Sequence, residues 1–221
     1  MKLHERYRGA IFDLDGTILD SSWVWEQVDI KFLGDRGFEV PNDYVEAISP
    51  LGAYRAAAYT IERFGLWNEK PEDLVREWFD IAREEYAQKV LCKPGAKEYI
   101  KFLYDKGIRL AIATSSDREL FMTTLERENI LNCFSEIVTV EEVERGKGYP
   151  DIYEEAARRI GLGVHECVVF EDILTGVSGA KLGGFAVVAV EDSKSKENRS
   201  QIEKKADFYI KKWDCCNNLC F

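Results

Sequence analysis

Two aspartates stand two residues apart directly behind a short apolar run, where residues 9–17 read GAIFDLDGT. A short apolar run predicts a buried strand, and alternate side chains of an extended chain point to the same side. Asp13 and Asp15 therefore share one face if the strand continues, and each carboxylate disfavours the ionisation of the other. Such a pair indicates a bound cation or a proton-transfer role, unless it lies in a solvated Asp-Gly turn.

Composition excludes several classes of partner. The chain has 221 residues, of which 46% are hydrophobic and 32% charged, as expected for a globular domain with a modest insertion. A net charge of −10 without a basic run argues against nucleic-acid and anionic membrane partners. Residues 1–8 are polar and lack the apolar core of a signal peptide, so we expect a cytoplasmic protein.

The six cysteines are expected to stay reduced in that compartment. Three of them stand among apolar neighbours and are predicted to be core thiols: Cys92, Cys133 and Cys167. The other three crowd the end of the chain: Cys215, Cys216 and Cys220. No histidine or fourth thiol stands at zinc-like spacing around that second group, so a packed or frayed tail is favoured over a metal clip.

Apolar runs alternate with amphipathic stretches through most of the chain. Strands are predicted over residues 10–12, 108–114, 136–140, 167–170, 186–190 and 207–210, and helices over 94–106, 117–129, 150–160 and 175–182. Strands that are apolar throughout predict an α/β fold with a parallel sheet, covered by helices on both faces. Ligands of such sheets bind at the carboxyl ends of the strands. Ser116 and Glu119 resemble a capping box at the start of the second helix.

The alternation stops between residues 19 and 93, which contain no convincing strand. Helices are predicted there over 22–33, 43–48, 51–64 and 71–90. We therefore predict a core formed by residues 1–18 and 94–221 and an inserted helical cap, 19–93, placed to cover the acidic strand end. Trp67 and Trp78 are expected in the core of that cap.

Three other predicted strands also end in residues suited to phosphate chemistry. Thr114 and Ser115 follow one strand and offer hydroxyls before a helix, although such residues are also ordinary helix caps. Lys147 lies on a glycine-flanked loop, where a solvated lysine is the alternative. Glu171 and Asp172 form a second acidic pair behind a strand. Hard oxygen ligands from the two acidic pairs predict a Mg²⁺ site.

Four stretches resemble the motifs of the haloacid dehalogenase superfamily, in particular its phosphatase and β-phosphoglucomutase-like branch. They are FDLDGT at 12–17, IATS at 112–115, Lys147, and FED at 170–172 with Gly176. The resemblance implies a Rossmann-like core with a helical cap inserted after the first motif. It also implies Mg²⁺ dependence and phosphoryl transfer through an aspartyl phosphate, with a small phosphorylated metabolite as substrate.

The resemblance also implies roles for the residues at matching positions. Asp13 resembles the nucleophile, and Asp15 the acid and base that protonates the leaving oxygen and then activates water. Thr114, Ser115 and Lys147 resemble the residues that hold the phosphate.

The metal ligands follow from the same resemblance. Asp172, with Glu171 beside it, resembles the acidic ligand of Mg²⁺ that joins Asp13 and the backbone carbonyl of Asp15.

Two alternatives to a phosphatase stay open. A sugar phosphomutase is disfavoured because such mutases typically have a histidine shortly after the first motif, and residues 20–26 contain none. A silent module that binds a phosphorylated ligand is disfavoured by the presence of Asp15.

Gly148 stands where the family usually has proline after the motif lysine, and it is expected to loosen that loop.

Substrate specificity is expected to lie in the cap. Candidate substrate-binding residues there are Trp23, Trp25, Glu26 and Arg55. Arg55 is equally well explained as a helix-surface arginine paired with a nearby acid such as Glu62.

Overall fold

Parallel strands form the centre of the protein. The computed structural model describes residues 2–49 and 51–213, and within them one sheet contains the strands β1 (Gly9–Phe12), β2 (Arg109–Thr114), β3 (Phe134–Thr139), β4 (Cys167–Glu171), β5 (Ala186–Val190) and β6 (Phe208–Ile210). Their order across the sheet is β3-β2-β1-β4-β5-β6, and every pairing is parallel. This order places the first strand in the middle, as in doubly wound nucleotide-binding folds. The predicted fold class is confirmed.

Helices precede and connect the strands. They are α1 (Leu3–Arg6), α2 (Val24–Gly34), α3 (Tyr44–Ile48), α4 (Ala53–Phe64), α5 (Pro71–Gln88), α6 (Ala96–Asp105), α7 (Arg118–Arg127), α8 (Asp151–Arg159), α9 (Leu174–Leu182) and α10 (Arg199–Lys205), with 3₁₀ helices at Leu131–Cys133, Val140–Glu142, Val164–Glu166 and Ser193–Asn198. Every predicted helix and strand overlaps one of these elements. The short helices α1 and α10 were not predicted from the sequence. No described helix is long and apolar enough to cross a membrane.

The two faces of the sheet carry different residues of the same strands. Ile11 and Val169 belong to a buried cluster with side chains of α8, α9 and α10. Phe12 and Phe170 point the other way and stack on each other with ring centroids 4.6 Å apart. Trp213 packs 5.4 Å from Phe170 on that second face. Burial on both faces explains why these strands are apolar throughout.

The start of α7 corrects one local prediction. The cap is the side chain of Asp117, which accepts a hydrogen bond of 2.8 Å from the backbone N–H of Glu119. The proposed capping box of Ser116 and Glu119 is therefore wrong, because the hydroxyl of Ser116 is engaged elsewhere, on Asp15.

The described residues divide into two compact units, residues 2–22 with 90–213, and residues 23–89. The sequence pattern predicts an insertion over 19–93, and the two end segments of that range pack with the first unit. There the backbone N–H of Asp20 donates to the carbonyl of Leu91 over 2.9 Å, and that of Lys93 to the carbonyl of Ile18 over 2.7 Å. The two segments that lead into and out of the second unit are thus hydrogen-bonded to each other.

The second unit contains α2 to α5, with α2 and α4 packed against α5. Pro71 occupies the first turn of α5, where its missing N–H removes no helical hydrogen bond. Trp78 is buried as predicted and meets Phe32 edge to face at 5.5 Å. Trp67 is 70% exposed, so its predicted place in the core is wrong. It follows Gly65, the left-handed residue that ends α4, and therefore lies outside the helical repeat.

The predicted core thiols are buried at two of three positions. Cys133 and Cys167 are buried free thiols, whereas Cys92 is only partly buried. The terminal group of Cys215, Cys216 and Cys220 lies outside the described residues.

Gly179 in α9 provides a test of the packing beneath the Lys147 loop. A Cβ atom at residue 179 would lie 2.0 Å from the carbonyl oxygen of Lys147 and 2.8 Å from that of Tyr149. We expect Gly179→Ala to lower the free energy of unfolding by about 1–3 kcal/mol, because overpacked backbone has to shift. Urea denaturation measures this loss. Gly148→Ala is the matched control, since a Cβ there meets nothing within 4 Å; equal stability of Gly179→Ala and the unaltered protein would contradict the packing described.

Candidate active site

Three neighbouring strands bring the motif residues to one edge of the sheet. Asp13 follows β1, Thr114 ends β2, and Glu171 ends β4 with Asp172 directly after it. The backbone N–H of Asp13 donates to the carbonyl of Phe170 over 3.0 Å, which extends the pairing of β1 and β4 by one residue. Carboxyl ends of adjacent parallel strands meet at the same edge, so residues far apart in the chain become neighbours.

A cluster of three buried carboxylates forms there. Oxygens of Asp13, Glu171 and Asp172 lie within 4.8 Å of one another, and these residues are 5%, 0% and 3% exposed. The ammonium of Lys147, itself 7% exposed, donates to Asp13 and, over 2.6 Å, to Glu171. Because like charges repel strongly out of water, this lysine is the main counter-charge of the cluster.

Glu171 is held by four donors. Its Oε1 accepts from Lys147 at 2.6 Å and from the hydroxyl of Tyr153 at 2.9 Å. Its Oε2 accepts from the backbone N–H groups of Asp172 at 3.1 Å and Ile173 at 3.3 Å. Four donors match the capacity of one carboxylate, so its orientation is fixed.

Asp172 is held from the first motif. The hydroxyl of Thr17 donates to its Oδ1 over 3.1 Å. Gly16 has φ of 83°, and a Cβ there would lie 2.4 Å from Oδ2 of Asp172. Glycine is therefore required both for the turn and for the close approach. Gly176 is likewise required by lack of space, since a Cβ there would lie 2.2 Å from the carboxyl carbon of Glu171.

Asp15 has surroundings unlike those of Asp13. Its Oδ1 accepts from the hydroxyl of Ser21 over 2.6 Å, and its Oδ2 accepts from the hydroxyl of Ser116. Its carboxylate is not part of the three-residue cluster. The two aspartates of the first motif thus differ in partners, one lying on an ammonium and the other between two hydroxyls.

Burial and neighbouring charges together shift the pKa values of Asp13, Asp172 and Lys147. Burial raises the pKa of Asp13, an effect that the charge of Lys147 opposes. Burial, and after it the charges of Asp13 and Glu171, raises the pKa of Asp172 well above its ordinary value. Burial acts to lower the pKa of Lys147, but the two neighbouring carboxylates outweigh it and raise that pKa, so the ammonium stays protonated.

The charge balance leaves room for a cation. Three carboxylates, those of Asp13, Glu171 and Asp172, face one ammonium, that of Lys147. Full ionisation leaves two negative charges without compensation. The donors are hard oxygens, which suit a divalent cation of the Mg²⁺ or Ca²⁺ type. The residues present therefore fit a metal ion.

The remaining predicted residues lie in different environments. Thr114 is buried, and its hydroxyl accepts from the backbone N–H of Ser116 over 3.0 Å, while Ser115 is exposed. The cap candidates all lie in the unit of residues 23–89: Trp23, Trp25, Glu26 and Arg55. Trp25, 42% exposed, meets Phe79 edge to face at 5.7 Å. Glu26 and Arg55 are exposed.

Four contributors to the site were not predicted as such from the sequence: Thr17, Ser21, Ser116 and Tyr153. Ser116 was predicted only as a helix cap. Thr17 and Ser21 are small hydroxyl residues near the first motif, where many such residues cap turns without further function. Tyr153 lies six residues after Lys147 on the apolar face of α8, where its pattern indicates only a core residue. No local signal distinguishes a hydroxyl that reaches a carboxylate on another strand.

Asp172 gives a prediction about pH that needs no ligand. Its folded pKa lies above its unfolded value, so its favourable contribution is present below about pH 4 and is lost as pH rises through the raised pKa. In EDTA at pH 7 we expect Asp172→Asn to raise the free energy of unfolding, because asparagine carries no charge for burial and the carboxylates of Asp13 and Glu171 to penalise. The gain shrinks towards pH 4, as followed by urea denaturation across pH.

Asp151→Asn is the control of opposite sign. Its carboxylate pairs with Arg145 at 2.8 Å, and this pairing lowers its pKa. That substitution is expected to give no gain at pH 7. A loss of stability in Asp172→Asn under the same conditions would show that the cluster is not under charge repulsion.

Comparisons with known proteins agree with this geometry. A family model described as haloacid dehalogenase-like hydrolase matches residues 10–190. "Putative phosphatase YhcW" of Bacillus subtilis (strain 168) is 30% identical over 83% of this chain and 83% of its own length. Fructose-1-phosphate phosphatase YqaB of Escherichia coli (strain K12) is 28% identical over 85% of this chain and 98% of its own.

A solved structure has the same fold. The "putative beta-phosphoglucomutase" from Thermotoga maritima superimposes with a TM-score of 0.81 at 23% identity, covering 96% of this chain and 97% of that one. The resemblance found in the sequence is thus confirmed by a family model that spans most of the chain and by relatives that match more than four fifths of it. The chain belongs to the haloacid dehalogenase-like hydrolase family.

Proposed function

We propose that the protein is a Mg²⁺-dependent phosphatase that hydrolyses a small phosphorylated metabolite through an aspartyl-phosphate intermediate. The observation that carries the proposal is the buried ammonium of Lys147 on the carboxylate of Asp13. Attack by a carboxylate on a phosphate brings negative charges together, and a fixed cation beside the nucleophile lowers that cost. The phosphatase names of the relatives point to the same chemistry.

Asp13 and Asp15 divide the reaction between them. A carboxylate oxygen of Asp13 attacks phosphorus, the ester P–O bond breaks, and a proton carried by Asp15 passes to the leaving oxygen. Asp15 then takes a proton from water as the water oxygen attacks the aspartyl phosphate, which releases orthophosphate and restores Asp13. The hydroxyls of Ser21 and Ser116 hold the carboxylate of Asp15 for both proton transfers.

Lys147 and Thr114 bind the phosphoryl group in this scheme. The ammonium lies against Asp13, so a phosphate oxygen next to the nucleophile falls within its reach. The hydroxyl of Thr114, at the end of the neighbouring strand, donates its proton to another phosphate oxygen. Exposed Ser115 follows it and adds a further donor.

Asp13 and Asp172 would hold Mg²⁺, with Glu171 at the edge of the same cluster. By family resemblance the backbone carbonyl of Asp15 would complete the set. When bound, the ion supplies positive charge that neutralises phosphate oxygens. Thr17 orients Asp172 for this role through its hydroxyl.

Replacement of the nucleophile tests the proposal. The unaltered protein is expected to release phosphate from at least one member of a panel of fructose 1-phosphate, glucose 1-phosphate, glycerol 3-phosphate, FMN and a nucleoside 5′-phosphate, with Mg²⁺ but not in EDTA. We expect Asp13→Asn to lower turnover at least about a thousandfold, because the amide cannot form the covalent intermediate. Released orthophosphate is the measured quantity.

Asp117→Asn is the matched control. Asp117 is the exposed cap of α7, and asparagine caps equally well, so its activity should equal that of the unaltered protein. Persistent turnover in Asp13→Asn would overturn the assignment of the nucleophile. Isomerisation of a sugar phosphate in the presence of a sugar bisphosphate would instead identify a mutase, and silence across the panel would favour a binding module.

A second test concerns the cap. We propose that Trp23, Trp25, Glu26 and Arg55 select the substrate. If Arg55 binds an anionic or polar group, Arg55→Ala should raise KM about tenfold for the substrates that carry this group, since a charge-assisted hydrogen bond contributes about 1.5–3 kcal/mol. Arg76→Ala, which removes another exposed arginine of the same unit, is the control. Identical kcat/KM values for both variants on every substrate would dismiss Arg55.

A further inference from the structure

Tyr153 has a hydroxyl whose burial needs an explanation. The residue lies in the first turn of α8 with 0% exposure. Its ring packs in the core, edge to face with Phe185 at 6.3 Å. Phenylalanine would supply the same apolar packing, and a buried hydroxyl is costly unless it finds a partner. Its partner is Oε1 of Glu171 at 2.9 Å.

That oxygen is also the one that binds the ammonium of Lys147. Oε2 is engaged by two backbone N–H groups, so Oε1 faces Lys147 and Tyr153 together. Glu171 competes with Asp13 for the same ammonium, because both carboxylates accept from the one Nζ atom. A hydroxyl that donates to Oε1 disperses part of its charge and weakens its hold on the lysine.

The backbone of the Lys147 loop is packed against Gly179 and closed by the Tyr149 N–H on the carbonyl of Gly146 at 3.0 Å, but it does not fix the end of a long, flexible side chain. Gly148 follows the lysine and adds no side chain beside it, and a Cβ there would meet nothing within 4 Å. The position of the ammonium therefore depends on its side-chain partners, Asp13 and Glu171, and on whatever sets the balance between them.

We propose that Tyr153 is a positioning residue: its hydroxyl, by donating to Glu171, keeps the ammonium of Lys147 on Asp13 and the phosphoryl group. This inference rests on the proposed phosphatase function. Tyr153 is fully buried behind Glu171, so it acts through that carboxylate and does not touch the substrate.

Tyr153→Phe is the test, with p-nitrophenyl phosphate and Mg²⁺ as the probe reaction. Without the hydroxyl, Lys147 moves towards Glu171, and charge that develops between Asp13 and phosphorus is less well neutralised. We expect kcat to fall about tenfold with KM changed less than about twofold, as for an interaction made mainly in the transition state. Tyr149→Phe removes a hydroxyl from an exposed tyrosine in the Lys147 loop and should leave kcat and KM unchanged.

A double-mutant cycle separates positioning from a structural role. Glutamine at residue 171 carries no charge and no longer competes for the ammonium, so Tyr153→Phe in a Glu171→Gln background should change kcat less than about twofold. A merely structural role of Tyr153 predicts the same fold loss in both backgrounds. The ratio of the two losses stays informative even if Tyr153→Phe lowers the melting temperature, provided that each kcat is divided by the folded fraction measured by circular dichroism.

The outcomes separate the two proposals. No phosphate release by the unaltered protein with any substrate overturns the phosphatase function and this inference with it. Release by the unaltered protein and equal kcat in Tyr153→Phe overturns the role of Tyr153 alone. Equal losses in both backgrounds also overturn it, whereas a tenfold loss that vanishes with Glu171→Gln supports it.

Discussion

One buried ammonium holds the functional edge of this protein together. Lys147 donates to Asp13 and Glu171, within a cluster in which three carboxylates lie inside 4.8 Å. Without it the cluster would carry uncompensated negative charge away from water, which costs several kcal/mol per ion. The lysine comes from a loop, and the acids come from the ends of two strands, so the sheet order and the packing of that loop serve this one interaction.

Glycines allow the residues of the charge cluster and the Lys147 loop to pack closely. Three glycines lie where a side chain would collide with the site: Gly16 against Asp172, Gly176 against Glu171, and Gly179 against the backbone of Lys147. In each case a Cβ atom would lie within 2.4 Å of its neighbour. The small residues of α9 therefore let the helix approach both the acidic strand end and the lysine loop. The charge cluster therefore depends on the close approach of α9 as well as on its charged residues.

The two aspartates of the first motif acquire different characters from their surroundings. Asp13, whose pKa is raised by burial, lies against the ammonium of Lys147. Asp15 instead accepts hydrogen bonds from the hydroxyls of Ser21 and Ser116. Two identical side chains two residues apart can divide a reaction only if their environments differ. That difference comes from residues far along the chain, since Ser116 and Lys147 follow other strands.

The order of residues along the chain was enough to predict the fold class, the family and the residues that end the central strands. Apolar runs identify buried parallel strands, and the carboxyl ends of such strands share one edge, so Asp13, Thr114 and Asp172 could be assigned to a common site before any coordinates. The tertiary structure was needed to establish that Asp117 rather than Ser116 caps α7, that Trp67 is exposed, and that the hydroxyl of Tyr153 reaches Glu171. Periodicity reports which face of an element is apolar, whereas a hydrogen bond depends on the direction of one side chain and on a partner from another part of the chain.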